Sequence, residues 1–180
     1  MSSGCAALLT LVVLPLWIVA GFVDWVFHRR SRIEHTSGTA ENMFHLGLFA
    51  IIATGATAVG LLEVNALLIA ILLAVFVLHQ VLTWVELRFV ITRRFVGPGE
   101  QMIHSFLELL PLTVAFILVI DATHTAETRL TEWTLQLRED ARLLPLAACA
   151  VAVVLLNLLP LLEEHVRCRR ENSPLSPFTR

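Results

Sequence analysis

Residues 43–85 read MFHLGLFAIIATGATAVGLLEVNALLIAILLAVFVLHQVLTWV. Glu63 is the only carboxylate or arginine in this stretch, and it divides two apolar runs that are each too long to be strands. The runs lie so close together that only a tight turn near Glu63 and Asn65 can join them. The expectation is therefore a pair of membrane helices, 43–62 and 64–88, packed as an antiparallel hairpin. Thr54, Gly55, Thr57 and Gly60 follow one another along the first of them, and small residues of this kind let helices approach closely in lipid.

Three more runs of the same kind lie outside the hairpin. A helix over 6–28 is interrupted only by Thr10 and Pro15 before it reaches Asp24, one over 98–120 opens at Pro98, a residue suited to the first helical position, and the last covers 143–162. The whole chain is 57% hydrophobic and 16% charged, too apolar for a soluble globule of 180 residues. The fold class is thus all-α, integral to a membrane, with five transmembrane helices in one domain over 1–165. Helices one to four are expected as an antiparallel bundle, with helix five peripheral. The first run lacks a basic flank and a small-residue cleavage site, so it reads as a retained helix and not a signal peptide.

Every basic residue of the chain other than histidine is an arginine. Arg29, Arg30, Arg32, Arg88, Arg93, Arg94, Arg167, Arg169, Arg170 and Arg180 fall on one side of the five-helix arrangement, and Arg129, Arg138 and Arg142 on the other. The richer side is placed in the cytoplasm, giving an integral protein of a bacterial inner membrane with its N-terminus outside. Between helices four and five, Leu130, Trp133 and Leu137 stand at helical spacing, which predicts an amphipathic interfacial helix over 125–142. The cytoplasmic tail, 166–180, reads as disordered. Cys5, Cys149 and Cys168 have no metal-ligand spacing and suggest no disulfide framework.

Polar side chains enter the apolar runs in a pattern. Asp24 and His28 are four apart, as are Glu41 and His45; His79 and Glu86 are seven apart, and Glu100, His104 and Glu108 form one i, i+4 row. Each of the first four helices therefore presents a carboxylate and an imidazole on one face, near the same membrane side. Some of these residues have plainer explanations. Glu100 suits the first turn after Pro98, Glu41 has Thr39 as a candidate N-cap, and His28 borders the arginines. Glu34, His35, His124 and His165 read as solvated. For the rest, an ionisable group inside a membrane helix costs about 2.5–3.5 kcal/mol near its centre, so several demand compensation on the order of 10 kcal/mol. Imidazole and carboxylate together are the donors of iron, zinc and manganese, and four histidines with five carboxylates are enough for two ions. The expected ligand set is drawn from Asp24, His28, Glu41, His45, His79, Glu86, Glu100, His104 and Glu108, holding two divalent ions, with iron favoured and zinc or manganese fitting the same donors.

With these ligand-bearing helices, the chain loosely resembles the integral-membrane non-haem di-iron enzymes of the fatty-acid hydroxylase and desaturase type, although it has no HxxxH or HxxHH box. The resemblance implies an oxidase, hydroxylase or desaturase acting on a lipid or other amphiphile near the cytoplasmic face, supplied by an electron donor. Other readings of the same residues are a zinc-dependent membrane hydrolase, a haem protein with His45 and His104 as axial ligands, an ion conductor, and a purely structural subunit. The slightly acidic net charge and the topological role of the arginines leave no place for nucleic acid. No nucleotide-binding loop, GxSxG elbow or HExxH motif is present.

Overall fold

The computed structural model describes residues 1–124, 129–139 and 143–171. They form five helices, each long and apolar enough to cross a membrane. Helix α1 covers Ser3–Ser31, α2 Gly38–Leu61, α3 Ala66–Val90 and α4 Pro98–His124. Helix α5 runs through Leu143–Val153, a wider π-type turn at Val154–Leu158, and Leu159–Glu171. A similar π-type turn interrupts α1 at Leu9–Val13. The described residues contain no strand, only a lone bridge between Leu62 and Leu137. A helix satisfies its own backbone groups, which an apolar run needs where water cannot.

The helix ends are fixed by identifiable residues. The Ser2 side chain accepts from the Cys5 N–H and opens α1; Asn65 Oδ1 accepts from the Leu68 N–H at 3.0 Å and opens α3. Helix α1 stops where Arg32 turns left-handed at φ 52° and returns its N–H to the His28 carbonyl. A single 3-10 turn, Ile33–His35, then carries the chain into α2, with Ile33 fully buried beneath it.

Helix α2 packs on α3, α3 on α4, and α4 on α1, while α5 lies against both α2 and α1. The close approach of α2 and α3 depends on small residues: a Cβ at Gly55 would lie 3.2 Å from Val75 Cγ1, and one at Gly47 3.0 Å from Leu82 Cδ2. Two apolar clusters fill the interior. One gathers Leu68, Leu72, Ala115 and Leu118; the other gathers Trp17, Ile18, Ile52, Val75 and Leu110. Large apolar side chains also face outward, among them Leu11, Phe116 and Val151, a surface suited to lipid.

Several expectations need correction. Helix five is not peripheral, because its second half is wedged against α1 and α2 and its Glu164 is wholly buried. That helix also runs to Glu171, so 166–171 is not a disordered tail, and 172–180 lies outside the described residues. The interfacial helix expected over 125–142 is absent from its described part, 129–139, which holds turns and a lone bridge at Leu137 but no helix. Hydrogen bonds to the α2–α3 turn account for this: Glu63 N–H donates to the Gln136 carbonyl, Ala66 N–H to that of Glu132, and Asn65 Nδ2 to that of Thr134. Residues 125–128 and 140–142 lie outside the described chain. Thr39 is not an N-cap, since α2 begins at Gly38. Glu34 is not free in solvent; it pairs with Arg167, and His35 lies 3.2 Å from Glu171.

Candidate metal centre

The last turn of α1, the first turns of α2 and α4, the end of α3 and the second half of α5 meet around one buried group of polar side chains. His28 and His45 lie at its middle. Their rings stack with centroids 4.1 Å apart and planes 4° from parallel. Glu164 serves both: its Oε1 accepts from His45 Nδ1 at 3.0 Å, and its Oε2 lies 3.4 Å from His28 Nδ1. With Nδ1 of each ring turned to the same carboxylate, both Nε2 atoms face away from it.

On the far side, each Nε2 meets carboxylate oxygen. His28 Nε2 lies 3.5 Å from Asp24 Oδ1 and 3.3 Å from Glu100 Oε1. His104 Nε2 reaches the same Asp24 oxygen at 2.9 Å. His45 Nε2 lies 2.6 Å from Glu86 Oε1 and 3.8 Å from Glu41 Oε1. Two triplets result, Asp24, His28 and His104, and His28, Glu41 and His45, each with one ligand atom per residue within 4.8 Å of the others. His28 belongs to both.

Many of these atoms, though close, lack hydrogen-bond geometry. Asp24 Oδ1, both ring nitrogens of His28, His45 Nε2, Glu86 Oε1 and Glu164 Oε2 are buried without a hydrogen-bond partner. Leaving such groups unsatisfied costs about 1–3 kcal/mol each, and more where they are charged. Lone pairs converging from several elements onto the same space are the arrangement a cation would complete.

The charge balance points the same way. Asp24, Glu41, Glu86, Glu100 and Glu164 are five carboxylates, and the one guanidinium among them is Arg94, which bonds Glu41 and Glu100. With neutral imidazoles, four negative charges remain, the charge of two divalent ions. Arg94 lies in the loop after α3, where burial disfavours its charge. Hydrogen bonds and Coulomb attraction from Glu100 and Glu41 outweigh that and push its pKa up, so it is a permanent counter-ion.

Of the nine residues expected in the site, seven are brought together: Asp24, His28, Glu41, His45, Glu86, Glu100 and His104. His79 and Glu108 join that group through a shared cavity that Asp24, His45, Glu86 and His104 also line. They lie deeper along α3 and α4, on the wall of this cavity of about 80 Å³. His79 Nδ1 faces the Thr83 hydroxyl at 3.5 Å. That cavity holds several waters or a short stretch of alkyl chain.

Glu164 and Arg94 were not in the expected set. Neither was Asn42, whose Nδ2 donates to Glu164 Oε1 at 2.9 Å and whose Oδ1 faces His165 Nδ1 at 2.7 Å, so His165 is not an idle surface residue either. His124, by contrast, is exposed at the end of α4. No known protein family, curated protein or solved structure matches the chain.

Proposed function

We propose that the protein is a membrane-embedded di-metal enzyme that acts on a lipid or other amphiphile near the arginine-rich side of the bilayer. The observation that carries this is the convergence of buried imidazole and carboxylate atoms without a hydrogen-bond partner from four helices, in a site lined by five carboxylates and one guanidinium. In this reading, Asp24, His28, Glu100 and His104 serve one ion, and Glu41, His45 and Glu86 the other. The ions, iron being favoured, would supply oxygen-dependent oxidation of a C–H bond with two electrons from an external donor, or, if both are zinc, hydrolysis.

The chain's own residues do the rest. Glu164 accepts from Nδ1 of His45 and so selects the tautomer that leaves its Nε2 free as a ligand, while its other oxygen lies 3.4 Å from Nδ1 of His28. Arg94 offsets the carboxylates that touch it. Trp17, Phe49, Ile52 and Leu107 line the adjoining cavity and exclude water from a substrate chain. His79 and Glu108 stand on the same wall as groups able to hold a proton.

Elemental analysis of protein purified without chelators should find about two transition-metal ions per chain. Visible and electron-paramagnetic spectra then separate iron from zinc. Less than half an equivalent, with stability unchanged on adding iron, zinc or manganese, would reject the di-metal reading.

In this reading the arginine-rich α1–α2 and α3–α4 loops face the cytoplasm. In a background with Cys5, Cys149 and Cys168 replaced by serine, Ser31→Cys and Thr92→Cys should react with a membrane-impermeant thiol reagent only after cells are opened. Thr134→Cys should react in intact cells. The reverse pattern would invert the topology.

A further inference from the structure

Most sides of the candidate metal centre are closed. Ile33, Glu41, Asn42 and Glu164 around it are fully buried, and the large cavity beside it leads into the apolar bundle along Trp17, Phe49 and Ile52. A divalent ion cannot arrive through that apolar interior, because a charge stripped of its water there is too costly. A second, smaller cavity lies between the end of α3, the α3–α4 loop and the first turns of α4. Its polar lining is Glu41, Thr83, Glu86, Arg94, Gln101 and His104. Thr83, Glu86 and His104 border the large cavity as well. Val96 and Gln101, both partly exposed, form the outer edge of the small one, beside Phe95 and Met102, which are 82% and 72% exposed.

Three properties of this cleft suit a divalent cation. It is short, since Gln101 and His104 are three residues apart on one helix, roughly 4.5 Å along its axis. It measures about 10 Å³, room for one water or for one ion that has exchanged water for protein oxygen. Its walls also attract cations, because Glu41 and Glu86 face a single guanidinium, Arg94, whose charge is taken up by Glu41 and Glu100. The other arginines nearby turn elsewhere, Arg88 over the Trp84 ring and Arg93 over that of Phe89. We propose that this cleft is the path by which divalent metal ions enter the centre from the arginine-rich side, with Val96 and Gln101 at its mouth and Glu86 and His104 as the first ligands to receive the ion. The proposal rests on the di-metal reading.

Cobalt(II) is a suitable probe, because sites of this kind bind it more tightly than iron(II) or manganese(II) and its visible bands report ligand capture. Metal-free protein in detergent is mixed with cobalt(II), and uptake and release into excess chelator are timed by absorbance. Gln101→Trp and Val96→Trp should slow both by at least about tenfold while leaving final content and Kd unchanged, since a barrier on the path acts equally in both directions. Met102→Trp, at the exposed neighbour of Gln101, should alter neither rate. A block applied after folding gives an independent arm. With Cys5, Cys149 and Cys168 replaced by serine, Gln101→Cys carrying a bulky, membrane-impermeant group in disulfide linkage should load as slowly as Gln101→Trp. It should recover once a reductant has removed the group and been washed away. Wild-type rates in the tryptophan variants or in the modified protein would overturn the path and leave the di-metal reading intact. So would a Gln101→Cys thiol that the reagent does not reach, or slower uptake with unchanged release, which marks a perturbed site and not a blocked path. Wild-type protein that takes up no cobalt(II) would reject both.

Discussion

Glu164→Ala should insert into the membrane normally yet bind its metal ions at least about tenfold more weakly, the loss typical when a ligand's outer partner is removed. Insertion depends on the apolar window of α5, which this substitution leaves intact. Metal binding depends on what Glu164 touches. Its two oxygens face Nδ1 of both His28 and His45 at 3.4 and 3.0 Å, so a single deletion frees two rings to rotate and to change tautomer. It also strands Asn42 Nδ2, which keeps only its 3.1 Å bond to the Leu161 carbonyl. Glu164→Gln should recover little, because an amide oxygen can accept from one imidazole N–H while its NH2 opposes the other. Glu163→Ala is the matched control: that carboxylate pairs with Arg29 at the surface, 2.7 Å away, and should leave metal affinity unchanged. Competition against a chelator of known affinity measures all three. Equal affinity in wild type and Glu164→Ala would show that the rings are held by packing alone.

Glu164 also marks how far the sequence could be read. The five long helices were legible because apolar runs of such length exceed what strands use, and the ligand-bearing faces followed from i, i+4 spacing. The last run, however, reads as ending at Leu162, since Glu163, Glu164 and His165 resemble a solvated helix end. The missed signal was one of phase. Asn157, Leu161, Glu164 and Cys168 recur at i, i+4, i+7 and i+11, a single face, and Asn157, Glu164 and Cys168 on it are buried. Similarly, Trp133 and Leu137 fit a helical period, but with Leu135 they equally fit an alternating one. Tertiary hydrogen bonds to the α2–α3 turn hold the segment in a non-helical form, and no local pattern could have foretold them. Arg94 was hidden by its company. Among ten arginines on one side it had a sufficient topological explanation, and only the fold shows that its guanidinium turns inward between α2 and α4.

That inward turn leads to the other large expected effect. Arg94→Met should destabilise the metal-free protein by about 3–5 kcal/mol, the usual cost of removing one partner of a buried ion pair. For a chain of this size the unfolding midpoint in detergent falls by roughly 10 °C. Nε of Arg94 lies 3.1 Å from Glu41 Oε2 and Nη1 lies 2.9 Å from Glu100 Oε2, so one side chain ties α2 to α4 and offsets both carboxylates. Without it the metal-free site carries five negative charges and no fixed cation. Divalent ions bound to the folded state should then restore much of the lost stability, since a ligand of the native state stabilises in proportion to its binding. The same extra negative charge should tighten that binding. Arg94→Met is therefore expected to be unstable without metal and nearly normal with it, while Arg94→Lys, which keeps the charge but cannot span two carboxylates with a planar fork, should fall between. Unfolding of the three proteins with and without added iron or zinc gives the comparison. A loss of the same size in both conditions would mean that Glu41 and Glu100 do not share their charge with a metal centre.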